Sequence, residues 1–322
     1  MAGNRQINHS SLFSCRCILV KGEMTLENAR RQYEMKPLEE MNVIDDFLFT
    51  EIMADEENGL EACRIILSCV LKRKIENIHY TAQKSVPGIS ERSHGIRLDA
   101  YVSETRVNNE DEVCIYDVEP DKRVTNRSGL PKRSRYYGDL IDVHLLQTGT
   151  DYEKLPELVT IFILSYDPFG QNAMYYEAGT TLKTHPHIQY NDGVRRIFLY
   201  VGGDLPEGAG EDERKLQTLL RYISESTEAN AIDESTQKLN GIVRNTKLRK
   251  DIGIRYMKSW ELERIIKEEA REIGLEEGRA EGRAEGRAEE RANTERERKR
   301  ADEAEKRVKE LEALLAEKSS LN

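Results

Sequence analysis

No apolar run in this 322-residue chain reaches the roughly 20 residues that a membrane-spanning helix needs. The opening segment also lacks a continuous apolar stretch followed by a small-residue cleavage site, so it does not read as a secretory leader. Cysteine is scarce: there are five, an odd number without disulfide-like spacing, which fits a reducing compartment. From these absences we expect a soluble, cytoplasmic protein. Cys15-Arg16-Cys17 lacks the second pair that a zinc site requires, and His185-Pro186-His187 falls in an expected loop with no further ligand nearby. His79, His94 and His144 have no partner visible in the sequence and read as structural or exposed. The chain has no Walker-type phosphate loop, no G-x-G-x-x-G after a strand and no G-x-S-x-G elbow, which sets aside the evident NTPase, dehydrogenase and serine hydrolase classes.

A net charge of −10 argues against a uniformly basic nucleic-acid binder. The distribution is more telling than the total. Between Lys122 and Arg135 stand Lys122, Arg123, Arg127, Lys132, Arg133 and Arg135, with no acid among them. Just before this run come Arg97-Leu98-Asp99-Ala100-Tyr101-Val102 and Val113-Cys114-Ile115-Tyr116-Asp117-Val118-Glu119, separated by a loop with Asn108-Asn109 and several acids. Both stretches alternate apolar and polar residues, so they read as a β-hairpin. A strand sends every second side chain to one face, and Asp99 and Glu119 can therefore converge if the register allows. Two hard oxygen ligands there make a plausible Mg²⁺ site.

Residues 1–35 show no convincing period and are expected to be a disordered extension, with Met24 and Met35 as alternative starts. Helices are expected at 43–55 and 60–72, followed by strands at 75–84, 96–102 and 113–119. Ser128-Gly129-Leu130-Pro131 opens a helix to about residue 146, closed by Thr148-Gly149. Residues 158–165 form the most apolar short run and suit a sheet centre covered on both faces. Strands at 174–181 and 195–201 and a helix at 211–224 follow, giving an α/β sandwich with a mixed sheet. A long helical stretch is expected from about 232 to about 273, past Trp260. From Gly278 to Glu289 the chain repeats Gly-Arg-Ala-Glu three times. The glycines cost a helix roughly 1 kcal/mol each relative to alanine, so this part is expected to be a marginal helix or a flexible spacer. Beyond it, Ala301, Ala304, Val308, Leu311 and Leu315 fall at heptad a and d positions, enough for weak chain pairing into a homo-oligomer. The division is thus 1–35 extension, 36–275 domain and 276–322 charged, coiled-coil tail.

Asp99, a gap of about twenty residues and Glu119 together resemble the signature of the PD-(D/E)XK nuclease superfamily. More narrowly, the hairpin together with Ile44-Asp45-Asp46-Phe47-Leu48-Phe49, Arg133-Ser134-Arg135-Tyr136-Tyr137 and Asp151-Tyr152-Glu153-Lys154-Leu155-Pro156-Glu157 is similar to the PD-(D/E)XK nuclease family transposases, relatives of the recombination-promoting nucleases. The likeness spans roughly residues 36–275. It implies a restriction-endonuclease-like αβββαβ core and Mg²⁺- or Mn²⁺-dependent cleavage of DNA, in recombination or in mobile-element and defence biology.

The resemblance implies that Asp99 and Glu119 hold the divalent ion and that Asp46 on the first helix completes the acidic cluster, with Asp45 as its alternative. The pattern places lysine or glutamine two residues after the glutamate, whereas this chain has Pro120 and then Asp121. Asp121 can bind metal but cannot act as a cation. Lys122 stands one residue further, and Pro120 is expected to bulge or end the strand and so swing Lys122 or Asp121 into a changed alignment. Arg133 or Arg135 is the other source of charge, and Arg123, Arg127, Lys132, Arg133 and Arg135 are the expected DNA contacts. The rival expectation is a catalytically lapsed scaffold that binds DNA or protein and self-associates through its C-terminal helix. The heptad reading makes a prediction: removing residues 278–322 lowers the mass seen by light scattering from that of an oligomer to that of one chain. A mass reduced only by the deleted residues refutes it.

Overall fold

The computed structural model describes residues 36–319 other than 83, 88–94, 107–108 and 147–150. The expectations placed on residues 1–35, His94, Asn108 and the Thr148-Gly149 stop lie outside the described residues. Helix α1 (Asp46–Ala54) leads through Asp55 into α2 (Glu56–Leu71). The Asp55 side chain accepts a hydrogen bond from the Asn58 backbone N–H at 3.0 Å and so caps α2, which stops where Lys72 takes a left-handed φ of 54°. The strands are β1 (Ile78–Ala82), β2 (Ser85–Val86), β3 (Ile96–Arg97), β4 (Ala100–Arg106) and β5 (Asn109–Asp121). Next come α3 (Leu130–Leu145), β6 (Glu157–Leu164), β7 (Tyr175–Ala178) and β8 (Val194–Tyr200). The chain ends in α4 (Glu211–Ser224), α5 (Glu234–Leu248) and α6 (Lys250–Ser319).

Six strands form one mixed sheet in the order β1-β4-β5-β6-β8-β7. Strands β5, β6 and β8 run parallel, while β1, β4 and β7 pair antiparallel. From Leu158 to Leu164 every residue of β6 is buried, as a strand flanked and covered on both faces must be. Alternation divides the core in two. On one face Tyr116 and Val118 of β5 and Val159, Ile161 and Ile163 of β6 share a cluster with residues of α1, α2, α4 and α5. On the other, Ile115 and Leu158 pack with Leu140 and Ile141 of α3, and Phe162 and Phe198 with Leu130.

Several expectations are corrected. The 96–102 strand is broken: β3 pairs only with β2, and the chain enters the main sheet at Ala100. Strand β5 runs on through Pro120, whose partner in register is Ile163 of β6, and the register shift in this hairpin falls at Thr105/Arg106, far from the proline. Antiparallel pairing with β4 has already ended at Ala100–Val118, so Pro120 sits past the last rung on that side. The helix expected across 232–273 breaks at Arg249, where ψ is 121° and the guanidinium bridges Asp55 and Asp251 at 3.1 and 3.0 Å. The Gly-Arg-Ala-Glu repeat is helical, part of the 70-residue α6. Alanine, arginine and glutamate are strong helix formers and outweigh the glycines. Arg283 and Arg287 each also donate to the carbonyl four residues back at 3.1 Å.

Two truncations separate the packed part from the exposed helix. Ile66, fully buried, should cost about 2–5 kcal/mol on Ile66→Ala, whereas Ile273, 57% exposed, should change stability by no more than about 0.5 kcal/mol on Ile273→Ala. Urea unfolding of both variants checks this, and equal effects would contradict the described packing.

Candidate active site

The odd-numbered residues of β5 from Ile115 onward point to the α3 side, which places Asp117, Glu119 and Asp121 on one face at the carboxyl end of the strand. Extending the β4 register one step past Ala100–Val118 sets Asp99 opposite Glu119, and the Asp99 backbone N–H donates to Glu119 Oε1 at 2.8 Å. Asp99 and Glu119 are thus brought together. Asp46, the first residue of α1, is close enough that its charge raises the Asp99 pKa. Burial pushes the Asp99 carboxyl up to about 6, with Asp46 adding to the effect while Arg97, Arg123 and Arg133 oppose it. Asp46 is raised likewise, first by burial and then by Asp121 and Asp45, against Arg123 and Lys122.

Asp45 has a different role. Its oxygens accept from the Asn42 N–H at 2.7 Å, from Lys36 Nζ at 2.7 Å and from Lys122 Nζ. Burial raises its pKa, but these hydrogen bonds outweigh burial and hold it below the usual carboxylate value. It stands at the N-cap position of α1 without capping it. Lys122 is therefore tied to Asp45.

Asp121 is enclosed by donors. It accepts from the Arg123 N–H at 2.8 Å, from Arg133 Nη2 at 2.6 Å and from the Tyr166 hydroxyl at 3.2 Å. Arg133 reaches in from the first turn of α3 and lies over the Phe162 ring, 5.1 Å from its centroid. Of the residues named for charge, Arg133 and Arg123 are placed among the carboxylates, Arg123 Nε lying 3.7 Å from Asp121 Oδ1. Arg123, Arg127, Lys132 and Arg135 are exposed, and the Arg127 Nε donates to the Pro168 carbonyl at 3.1 Å. His185 and His187 lie in an exposed loop, their ring centroids 6.0 Å apart.

The motif pattern does not single out Asp117, yet it is the most deeply placed acid of the site. It is 0% exposed, and neither carboxylate oxygen has a hydrogen-bond partner among the described residues. Its neighbours in register are Thr160 of β6 and, beyond that, Arg196 of β8, and Thr160 Oγ1, Arg196 Nε and Arg133 Nε are also buried without partners. Burial raises Asp117 to about 8, and Glu119 is raised well above its ordinary value by burial and by the charges of Asp117 and Asp99. The two carboxyls bond to each other only when one keeps a proton, because two carboxylates offer acceptors alone. The i, i+2 spacing of Asp117-Val118-Glu119 was the available signal for this pairing.

Among the described residues no three His, Cys, Asp or Glu side chains are gathered to hold a metal ion. Mg²⁺ is commonly held by one or two carboxylates, with water and substrate phosphate completing the shell. Asp99 and Glu119 fit that smaller donor set, and the orphaned, buried Asp117 oxygens beside them leave negative charge for a proton or a cation to offset. Asp121 fits it less well, since Arg133 already neutralises it.

These shifts predict the pH dependence of stability. Between about pH 4 and about pH 8 folded Asp117 keeps a proton that the unfolded chain releases, so stability falls as pH rises through that window. In EDTA, the melting temperature should drop from about pH 5 to about pH 8, and Asp117→Asn should lessen the drop. A melting temperature that climbs across this range would contradict the burial of these acids.

No protein-family model, no curated protein and no solved structure matches this chain.

Proposed function

We propose that the protein is a metal-dependent DNA endonuclease that hydrolyses phosphodiester bonds at Asp99 and Glu119. The observation that carries this reading is the hydrogen bond from the Asp99 backbone N–H to the Glu119 carboxylate, which brings these two acids together next to the buried Asp117. A divalent ion, Mg²⁺ or Mn²⁺, supplies an oriented water of lowered pKa and offsets charge on the scissile phosphate. Asp99 and Glu119 would hold it. The Asp99 N–H restrains the Glu119 carboxylate, and Asp46 adds the negative charge that favours a cation. Arg133 is paired with Asp121, which stands where the family pattern has lysine or glutamine, and so offsets the charge of that departure. The exposed Arg123, Lys132 and Arg135 are available to phosphates next to it. Recombination, mobile-element or defence biology is the setting that the resemblance implies for such an activity.

A second reading, a scaffold that binds DNA or protein without cutting, is favoured by one specific feature. Lys122 is bound to Asp45 and Asp121 to Arg133, so the lysine nearest the motif is committed to a different acid.

Supercoiled plasmid incubated with purified protein and Mg²⁺, Mn²⁺ or EDTA separates the two. Metal-dependent nicking should fall by about 10²–10³-fold in Asp99→Ala and in Glu119→Ala, as expected when a group stabilising transition-state charge is removed. A folded wild type that binds DNA and does not cut in either metal overturns the endonuclease and leaves the scaffold.

A further inference from the structure

A groove of about 600 Å³ opens at the Asp46–Asp99 end of the sheet, with α1 on one side and the root of α6 on the other. The root of α6 is firmly docked. Ile252 is fully buried, Tyr256 nearly so, and the Tyr256 ring meets Phe47 of α1 at 4.9 Å between centroids. Arg255 pairs with Glu51 of α1 through Nη2 at 2.7 Å and with Asp251 at 3.0 Å, so this cation is already matched. Two further cations of the groove, Arg97, just before the site and close enough for its charge to act on Asp99, and Lys258, one turn along α6, are exposed and make no salt bridge among the described residues. The acids left in the lining are Asp46, Asp99 and Glu263.

This balance selects the occupant. With the acids ionised the groove repels an anion, and one divalent cation at Asp99 reverses the sign and leaves Arg97 and Lys258 facing a gap that favours negative charge. An acidic protein segment meets the same floor and offers carboxylate oxygens, but it carries no phosphodiester for the acid pair to act on. A phosphodiester strand brings one phosphate to the acid pair and others to the walls. We propose that this groove seats the DNA backbone, with Arg97 and Lys258 as its phosphate contacts, so that the base of the long helix belongs to the DNA-binding surface. The proposal rests on the nucleic-acid reading above and assigns contacts outside the basic run that ends at Arg135.

Fluorescence anisotropy of a labelled DNA duplex with the full chain tests it, using Ca²⁺ for Mg²⁺ and a denaturing gel to show that the probe stays intact. The double variant Arg97→Gln/Lys258→Gln should bind about ten- to thirtyfold more weakly near physiological salt, with a log–log salt slope shallower by about 2. The charge-keeping Arg97→Lys/Lys258→Arg should bind like wild type. Arg300→Gln/Lys309→Gln removes the same charge from α6 about 60 to 75 Å further along and should leave affinity unchanged. Circular dichroism melts verify that each variant is folded. Unaltered affinity and slope in the Gln pair overturns the groove assignment alone, as does an equal loss in the distal control. A wild type that binds no DNA overturns this assignment together with the nucleic-acid reading, whereas a loss confined to the Gln pair supports it whether or not plasmid is cut.

Discussion

Everything at the site depends on one strand that serves two opposite environments. In β5, Cys114, Tyr116 and Val118 turn to the face covered by α1, α2, α4 and α5, and Ile115, Asp117, Glu119 and Asp121 turn to the face under α3. The apolar set anchors the strand at the centre of the sheet and fixes its register. A slip by one residue would put three carboxylates into the larger apolar core, at a cost far above the few kcal/mol available to a domain. Asp99 stands just before β4, and its N–H finds Glu119 where the β4–β5 ladder stops.

The electrostatics follow from that placement. The acids are gathered where solvent is scarce, so burial is the first cause of the raised pKa at Asp46, Asp99, Asp117 and Glu119. The protein offsets only part of this. Arg133 is spent on Asp121, and Lys122 and Lys36 on Asp45. The result is graded: Asp45 and Asp121 are held by cations, whereas Asp117 and Glu119 are left to a proton or a metal. Burial and the mutual repulsion of these acids, rather than pairing with a base, set the state of Asp117 and Glu119.

Much of the fold was legible because it is written in short-range periodicity. The hairpin, the apolar 158–165 run and the amphipathic helix at 211–224 each announce themselves within a few residues, and the observed elements overlie them. Errors came where long-range pairing decides: 96–102 looks like one strand, but Leu98 donates to the Lys84 carbonyl at 3.0 Å and binds the first two residues into a separate ribbon. The helix across 232–273 has no sequence stop at Arg249, and its break coincides with ion pairs to Asp55 and Asp251, one of them about two hundred residues back in the chain. At the site, Asp99 and Glu119 were visible from alternation, and Asp117 was equally visible at i, i+2 although the motif does not use it.

By itself the sequence determined which residues alternate, where the turns fall and that two acids share a strand face, because each of these is set by local geometry of one or two strands. Only the tertiary structure decided which cation serves which acid. Lys122 lies beside the motif in sequence yet points to Asp45, while Arg133 arrives from the next helix to meet Asp121. It also decided that Lys258, some 160 positions from Asp99, lines the same groove. Side-chain reach is a few ångströms, so the partner of a charge is chosen by how helices pack on the sheet, and that packing is a property of the whole core.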